Sequence, residues 1–174
     1  MTSNAGSNAV ARRGRTLRAH GLSVTVPAGW DGSISRPDGD PAGWDEADVG
    51  RLGTANPVLH VASFALPRVR GDYGGGAVEG MRPTDLFIAL VEFDPQAGAT
   101  PLFEATSMHR PLTVSMFSRS TMHRPIPGHS GHQQFFHTGG RAFGLYVALG
   151  SHRLRSSSVP RAERVVSTIR IRPR

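Results

Sequence analysis

The residues most able to do chemistry crowd into one stretch. His123, His129, His132 and His137 fall within fifteen residues, with His109 nearby. Imidazoles converging on one point hold zinc or nickel. This spacing follows no ligand template. His132 and His137, five apart on an extended run, face opposite sides of a pleat. At most His129, His132 and one other can meet, so dispersed loop and surface histidines are expected and no metal is assigned. Ser115, Ser118 and Ser120 lie near His109 and His123 in sequence, without the elbow motif of a hydrolase nucleophile. Glu92 and Asp94 share one side of a strand and could do acid–base work or bind a cation if enclosed. Just before Pro95 they read as a solvated strand end. The residues form no mutually supporting catalytic constellation, so neither a catalytic residue nor a cofactor is expected.

Two further patterns lead no further. Gly71 to Gly80 is glycine-rich, but the chain contains no lysine, and another strand follows Pro83 rather than a helix. A phosphate loop needs both the lysine and the helix, so a plain connection is expected. Met108-His109-Arg110-Pro111 recurs as Met122-His123-Arg124-Pro125. Two short copies are no repeat architecture. Their functional reading is a pair of matched turns presenting His and Arg to an anion.

Charge is the strongest signal. Residues 1–20 carry four Arg and no acid; 21–104 carry five Arg and twelve acids; 105–174 carry eleven Arg and one acid, Glu163. The net charge is +7, and every basic side chain is Arg. Arginine suits bidentate contact with phosphate or carboxylate, although a GC-rich genome also favours its codons. Such a split points to an anionic partner, or to one half of the fold neutralising the other. Arg153, Arg155, Arg161 and Arg164 are the candidate anion-binding residues. The absence of cysteine excludes disulfides, thiolate metal sites and cysteine nucleophiles. No apolar run has membrane-spanning length and no signal-peptide core opens the chain, so a cytoplasmic protein without membrane contact is expected.

The elements that must position these groups follow from periodicity. Residues 1–19 read as a disordered basic arm and 20–174 as a single domain. Leu22, Val24 and Val26 alternate as a half-buried strand, and Ile34 belongs to a short return strand. Residues 36–57 form a long acidic loop, with Asp38 to Asp48 and one helical turn at 44–49. Val58–Leu66 is a strand. Leu86–Phe93, the most apolar run, is a central strand covered on both faces. His132–His137 and Arg141–Leu149 form a hairpin about Gly139-Gly140. Gly144 within it suggests close packing of a helix. Ser156–Ser158 starts a helix that carries Ala162, Val165, Val166 and Ile169 inward, with Arg161, Arg164 and Arg170 on the other side.

The opening strand ending in Val26-Pro27-Ala28-Gly29-Trp30 and the closing segment Ala162 to Ile169 resemble the PsbP-like superfamily, many of whose members are bacterial. The resemblance covers the layout of residues 21–170 and implies an antiparallel sheet between helices and a binding role, with no site residues carried across. The expected fold is α+β: an antiparallel sheet of five to seven strands with a C-terminal helix packed on it, an α/β/α sandwich being the alternative. The expected function is a non-enzymatic protein-interaction or accessory module, with another protein as partner. Anion or nucleic-acid binding through the C-terminal arginines is the alternative.

Overall fold

Alternating apolar residues build the first hairpin in the computed structural model, which describes residues 14–36 and 56–174. The expected acidic loop at 38–48, its helical turn, and the arm before Gly14 lie outside the described residues. Strand β1 (Arg15–Ala19) pairs with β2 (Leu22–Val26) through a two-residue turn at His20 and Gly21. Their φ angles of 50° and 75° are the left-handed pair that such a turn requires. Residues 15–19 are therefore a strand, not the end of a disordered arm. Leu17 packs on the core while Arg15 and Arg18 stay exposed, and one inward apolar side chain is too faint a period to read. Strand β3 (Asp31–Ser35) takes up Ile34 as expected.

Strand β3 begins a second sheet with β4 (Val58–Ala62), β5 (Leu86–Phe93), β6 (Ser130–Thr138) and β7 (Arg141–Leu149), in the antiparallel order β3-β4-β5-β7-β6. The apolar run of β5 earns it the central place, buried from Leu86 to Glu92. Strand β4 stops short of the expected Leu66. The Ser63 hydroxyl accepts from the Leu86 amide, and the Asp31 carboxylate takes the Leu66 amide at 3.0 Å, pulling that segment off the ladder. The β6–β7 hairpin turns at Gly139 and Gly140, with φ of 57° and 74°. Helix α1 (Arg155–Val166) follows, then β8 (Arg170–Ile171), which pairs with the free edge of β2.

One face of the large sheet carries Phe143, Leu145, Val147 and Leu149. It packs against Leu22, Val24 and Val26 from the small sheet and against Val159, Ala162, Val165 and Val166 from α1. Each Val, Leu or Phe among them contributes about 1.5–3 kcal/mol when fully buried, which locks sheet, helix and small sheet into two layers. The opposite face carries Phe87, Ala89, Tyr146 and Ala148 beneath Ala77, Val78, Met81 and Met122 from loops and short 3-10 turns. Gly144 lies on this loop-covered face. A Cβ there would stand 3.1 Å from the rings of Phe93 and Phe135, so aromatic rings, not a helix, demand the glycine. The fold is α+β with two antiparallel sheets. Among the described residues α1 is the single α-helix, and these residues form no second helical layer of an α/β/α sandwich.

Candidate functional site

The fold engages some inward-facing polar groups and leaves others, His129 Nε2, Ser130 Oγ, His132 Nε2 and His152 Nδ1, without a partner among the described residues. His60 of β4 is 3% exposed. Its Nδ1 accepts from Arg70 Nε at 2.9 Å and its Nε2 meets the Asp72 carbonyl at 2.7 Å, which sets the neutral Nε2–H tautomer. Burial pushes its pKa down to about 4, the Asp72 carbonyl opposes this, and the Arg70 charge adds to it. Arg70 also reaches the Pro67 carbonyl at 2.7 Å and the Ser33 hydroxyl at 2.5 Å. Both nitrogens of this imidazole are committed, so it ties the 63–81 loop to the sheet and has no position left for proton transfer.

Glu92 overturns the expectation of a solvated carboxylate pair. It is 1% exposed and receives Arg141 in a fork, Nε at 2.9 Å and Nη2 at 2.5 Å, with Arg174 at 3.1 Å. Arg141 also donates to the carbonyls of His20 and Arg172, at 3.0 and 3.1 Å. One guanidinium thus joins β5, β7, the first turn and the segment after β8. Asp94 instead accepts from Asn56 at 2.9 Å.

The histidines disperse. His137 Nδ1 bonds the Phe103 carbonyl at 2.6 Å, His129 Nδ1 contacts that of Pro127, and His123 stacks on Tyr73 with ring centroids 4.8 Å apart. His132 leans on Phe117, where burial lowers its pKa. No three potential ligands converge among the described residues. Ser118 and Ser120 bond each other at 2.8 Å, and Ser115 bonds Thr113 at 3.0 Å, so each hydroxyl's bond is to another hydroxyl and not to an imidazole. The glycine loop is also self-contained: Gly71 and Gly74 amides bond within it, and the Gly76 amide is taken by Glu79. The two Met-His-Arg-Pro copies part company, because Met108 packs on the helix side of the large sheet and Met122 on the loop side. Matched turns are ruled out by that placement.

The four candidate arginines are spread along the start and length of α1. Arg153 and Arg164 are exposed. Arg155 bonds the His152 carbonyl at 2.9 Å. Arg161 bonds the Thr84 carbonyl at 2.9 Å and lies over the Trp30 ring at 5.6 Å. The structure gathers a different set. Arg18 of β1 stands opposite Ser23, and Ser23 opposite Arg170 of β8, in one row across the small sheet. Residues in one cross-strand row share a face, and Arg172, two residues beyond Arg170, continues it. Arg18, Arg170 and Arg172 are exposed, and Thr16, Ser23 and Thr25 alternate outward with them. Among the described residues none of these three arginines has a carboxylate partner. Arg18 is not among the four candidates because its strand reads in the sequence as the end of a basic arm. The readable signal was the His20-Gly21 turn before a clear strand.

No family model matches the chain, and comparison with curated proteins and with solved structures finds no match.

Proposed function

We propose that this protein is a non-enzymatic binding module whose partner is the phosphate backbone of a nucleic-acid duplex, held on the outward face of β1, β2 and β8. The observation that supports this is the Arg18–Ser23–Arg170 row, which brings N-terminal and C-terminal arginines onto one face where, among the described residues, none of them pairs with a carboxylate. Across three strands the row spans about 10 Å, and Arg170 to Arg172 advances about 7 Å along the chain, so the charges are spread rather than focused. The Thr16, Ser23 and Thr25 hydroxyls between them are ordinary phosphate donors. An acidic protein partner suits the face less well. Protein interfaces centre on aromatic and apolar anchors, whereas the exposed large apolar residues Val69, Leu102 and Leu154 are on none of these strands. Single-stranded ligands need aromatic stacking platforms, and these strands carry none. A cytoplasmic location goes with this reading; no helix among the described residues is long and apolar enough to cross a membrane.

The test is fluorescence anisotropy with a short labelled duplex at low and moderate salt. Binding should weaken with salt, and the Arg18→Gln, Arg172→Gln double variant should bind less tightly with a logarithmic salt slope reduced by about two. Absence of binding at low salt, or a slope that the double variant leaves unchanged, refutes the reading. Binding to an acidic protein but not to duplex supports the accessory-module alternative.

A further inference from the structure

Beside the small sheet lies an open-mouthed notch of about 250 Å³, lined by Ser107, Met108, Arg110, Phe136, Thr138, Ile169, Arg170 and Ile171. Its walls come from the 105–111 segment, the β6 strand and β8. The segment is held along β6 by the His137 amide on the Ala105 carbonyl at 2.8 Å and by Gln134, which bonds both the amide and the carbonyl of His109. Apolar side chains, two guanidinium groups and two hydroxyl-bearing residues share its lining.

The two arginines lean on a single atom. Arg110 Nη1 donates to the Ser167 carbonyl at 3.1 Å and Arg170 Nη1 to the same oxygen at 2.7 Å. Ser167 caps the C-terminus of α1. A helix C-terminus presents only about half a negative charge, against two full positive charges. No carboxylate among the described residues pairs with either arginine. Two like charges drawn together on one oxygen repel each other, so the lining keeps a positive character even with the Glu163 carboxylate nearby on the Leu112 amide. The Ser107 and Thr138 hydroxyls have no partner among the described residues.

We infer that this notch is a binding site for a small phosphomonoester with an apolar body. A phosphomonoester carries about −1.5 to −2 at neutral pH with three acceptor oxygens, which matches that positive character and the remaining donors of two forked guanidinium groups. Met108, Phe136 and Ile171 would receive the ester's hydrocarbon group. The volume falls below the roughly 300–1,000 Å³ of drug-sized sites, which limits the ligand to about one ring. Arg170 borders the sheet face as well, but the notch does not depend on duplex binding.

Calorimetric titration of the full chain with phenyl phosphate tests the site, with inorganic phosphate and benzenesulfonate as companions. Phenyl phosphate should bind saturably at one site, at least tenfold more tightly than either companion. Arg110→Gln should weaken it at least tenfold, and Arg110→Lys, which keeps the charge without the fork, should recover only part. Nuclear magnetic resonance of the unaltered protein should show phenyl phosphate shifting the Met108 and Ile171 methyl signals, a readout independent of variant folding. No saturable binding, or binding untouched by Arg110→Gln, overturns the inference. Equal affinity for benzenesulfonate overturns the dianion assignment, and equal affinity for inorganic phosphate overturns the role of the apolar lining. The Arg18→Gln, Arg172→Gln variant should retain full phenyl phosphate affinity, which separates failure here from failure of the duplex reading.

Discussion

Arg141 is 5% exposed, and its donors meet both oxygens of Glu92 and the carbonyls of His20 and Arg172. Arg170, in the following segment, touches only the Ser167 and Ile169 carbonyls and faces water. The same functional group has two fates, and surroundings decide which. A guanidinium taken out of water must find a counter-charge and fill its donors, because an unpaired buried ion costs several kcal/mol. A guanidinium left in water is under no such demand and keeps donors for a ligand. Abundance of arginine therefore says little, whereas its division between closed and open environments separates architecture from surface chemistry.

The sharpest way to break this contrast is to remove the buried counter-charge. Glu92→Gln leaves Arg141 enclosed without its partner and should cost about 3–5 kcal/mol in urea unfolding. Arg170→Gln should stay within about 0.5 kcal/mol of the parent. A Glu92→Gln loss below about 1 kcal/mol would erase the distinction.

The histidines extend the comparison to pH. His60 is held neutral in the fold, with a pKa depressed from 6.5 to about 4. Below pH 6.5 the unfolded chain takes up a proton that the fold refuses, so stability is full above that value and falls as pH drops toward 4. The loss should approach about 3 kcal/mol at the bottom of the window. His132, also depressed, adds a smaller loss of the same sign. Urea midpoints between pH 7 and 4 should fall steeply for the parent and less steeply for His60→Gln. An identical slope in both would remove His60 from the closed class.

The smallest effect tests an intermediate case. Arg161 is half-buried, stacked on Trp30 and bonded to Thr84. Arg161→Ala should cost about 0.5–1 kcal/mol and change Trp30 fluorescence. A larger cost would move Arg161 into the closed class with Arg141.

Regions that obey one strong period were legible in the sequence. The apolar run from Leu86 to Val91 in β5, the Gly139-Gly140 hairpin and the Val165–Val166 face of α1 are local signals, and each element stands where its pattern puts it. Strand β1 was not legible, because a single inward leucine between exposed arginines resembles a solvated tail. Glu92 was misread for a different reason. Its burial depends on Arg141, Arg174 and a turn at His20, partners far apart in the chain. The notch is hidden in the same way, since Arg110 and Arg170 meet only through the cap of a helix between them in space.

The pairing of β2 with β8 also sets an order of events during synthesis. Leu22 lies opposite Ile171, so the first hairpin leaves the ribosome long before its third strand exists. Until then one edge of β2 offers unpaired backbone groups, and Leu22, Val24 and Val26 await a helix not yet translated. The large sheet can assemble ahead of them from neighbouring hairpins, while the small sheet is completed only by late-arriving chain. A nascent chain stalled before α1 would thus present its first hairpin as an adhesive edge, the species on which a chaperone would act.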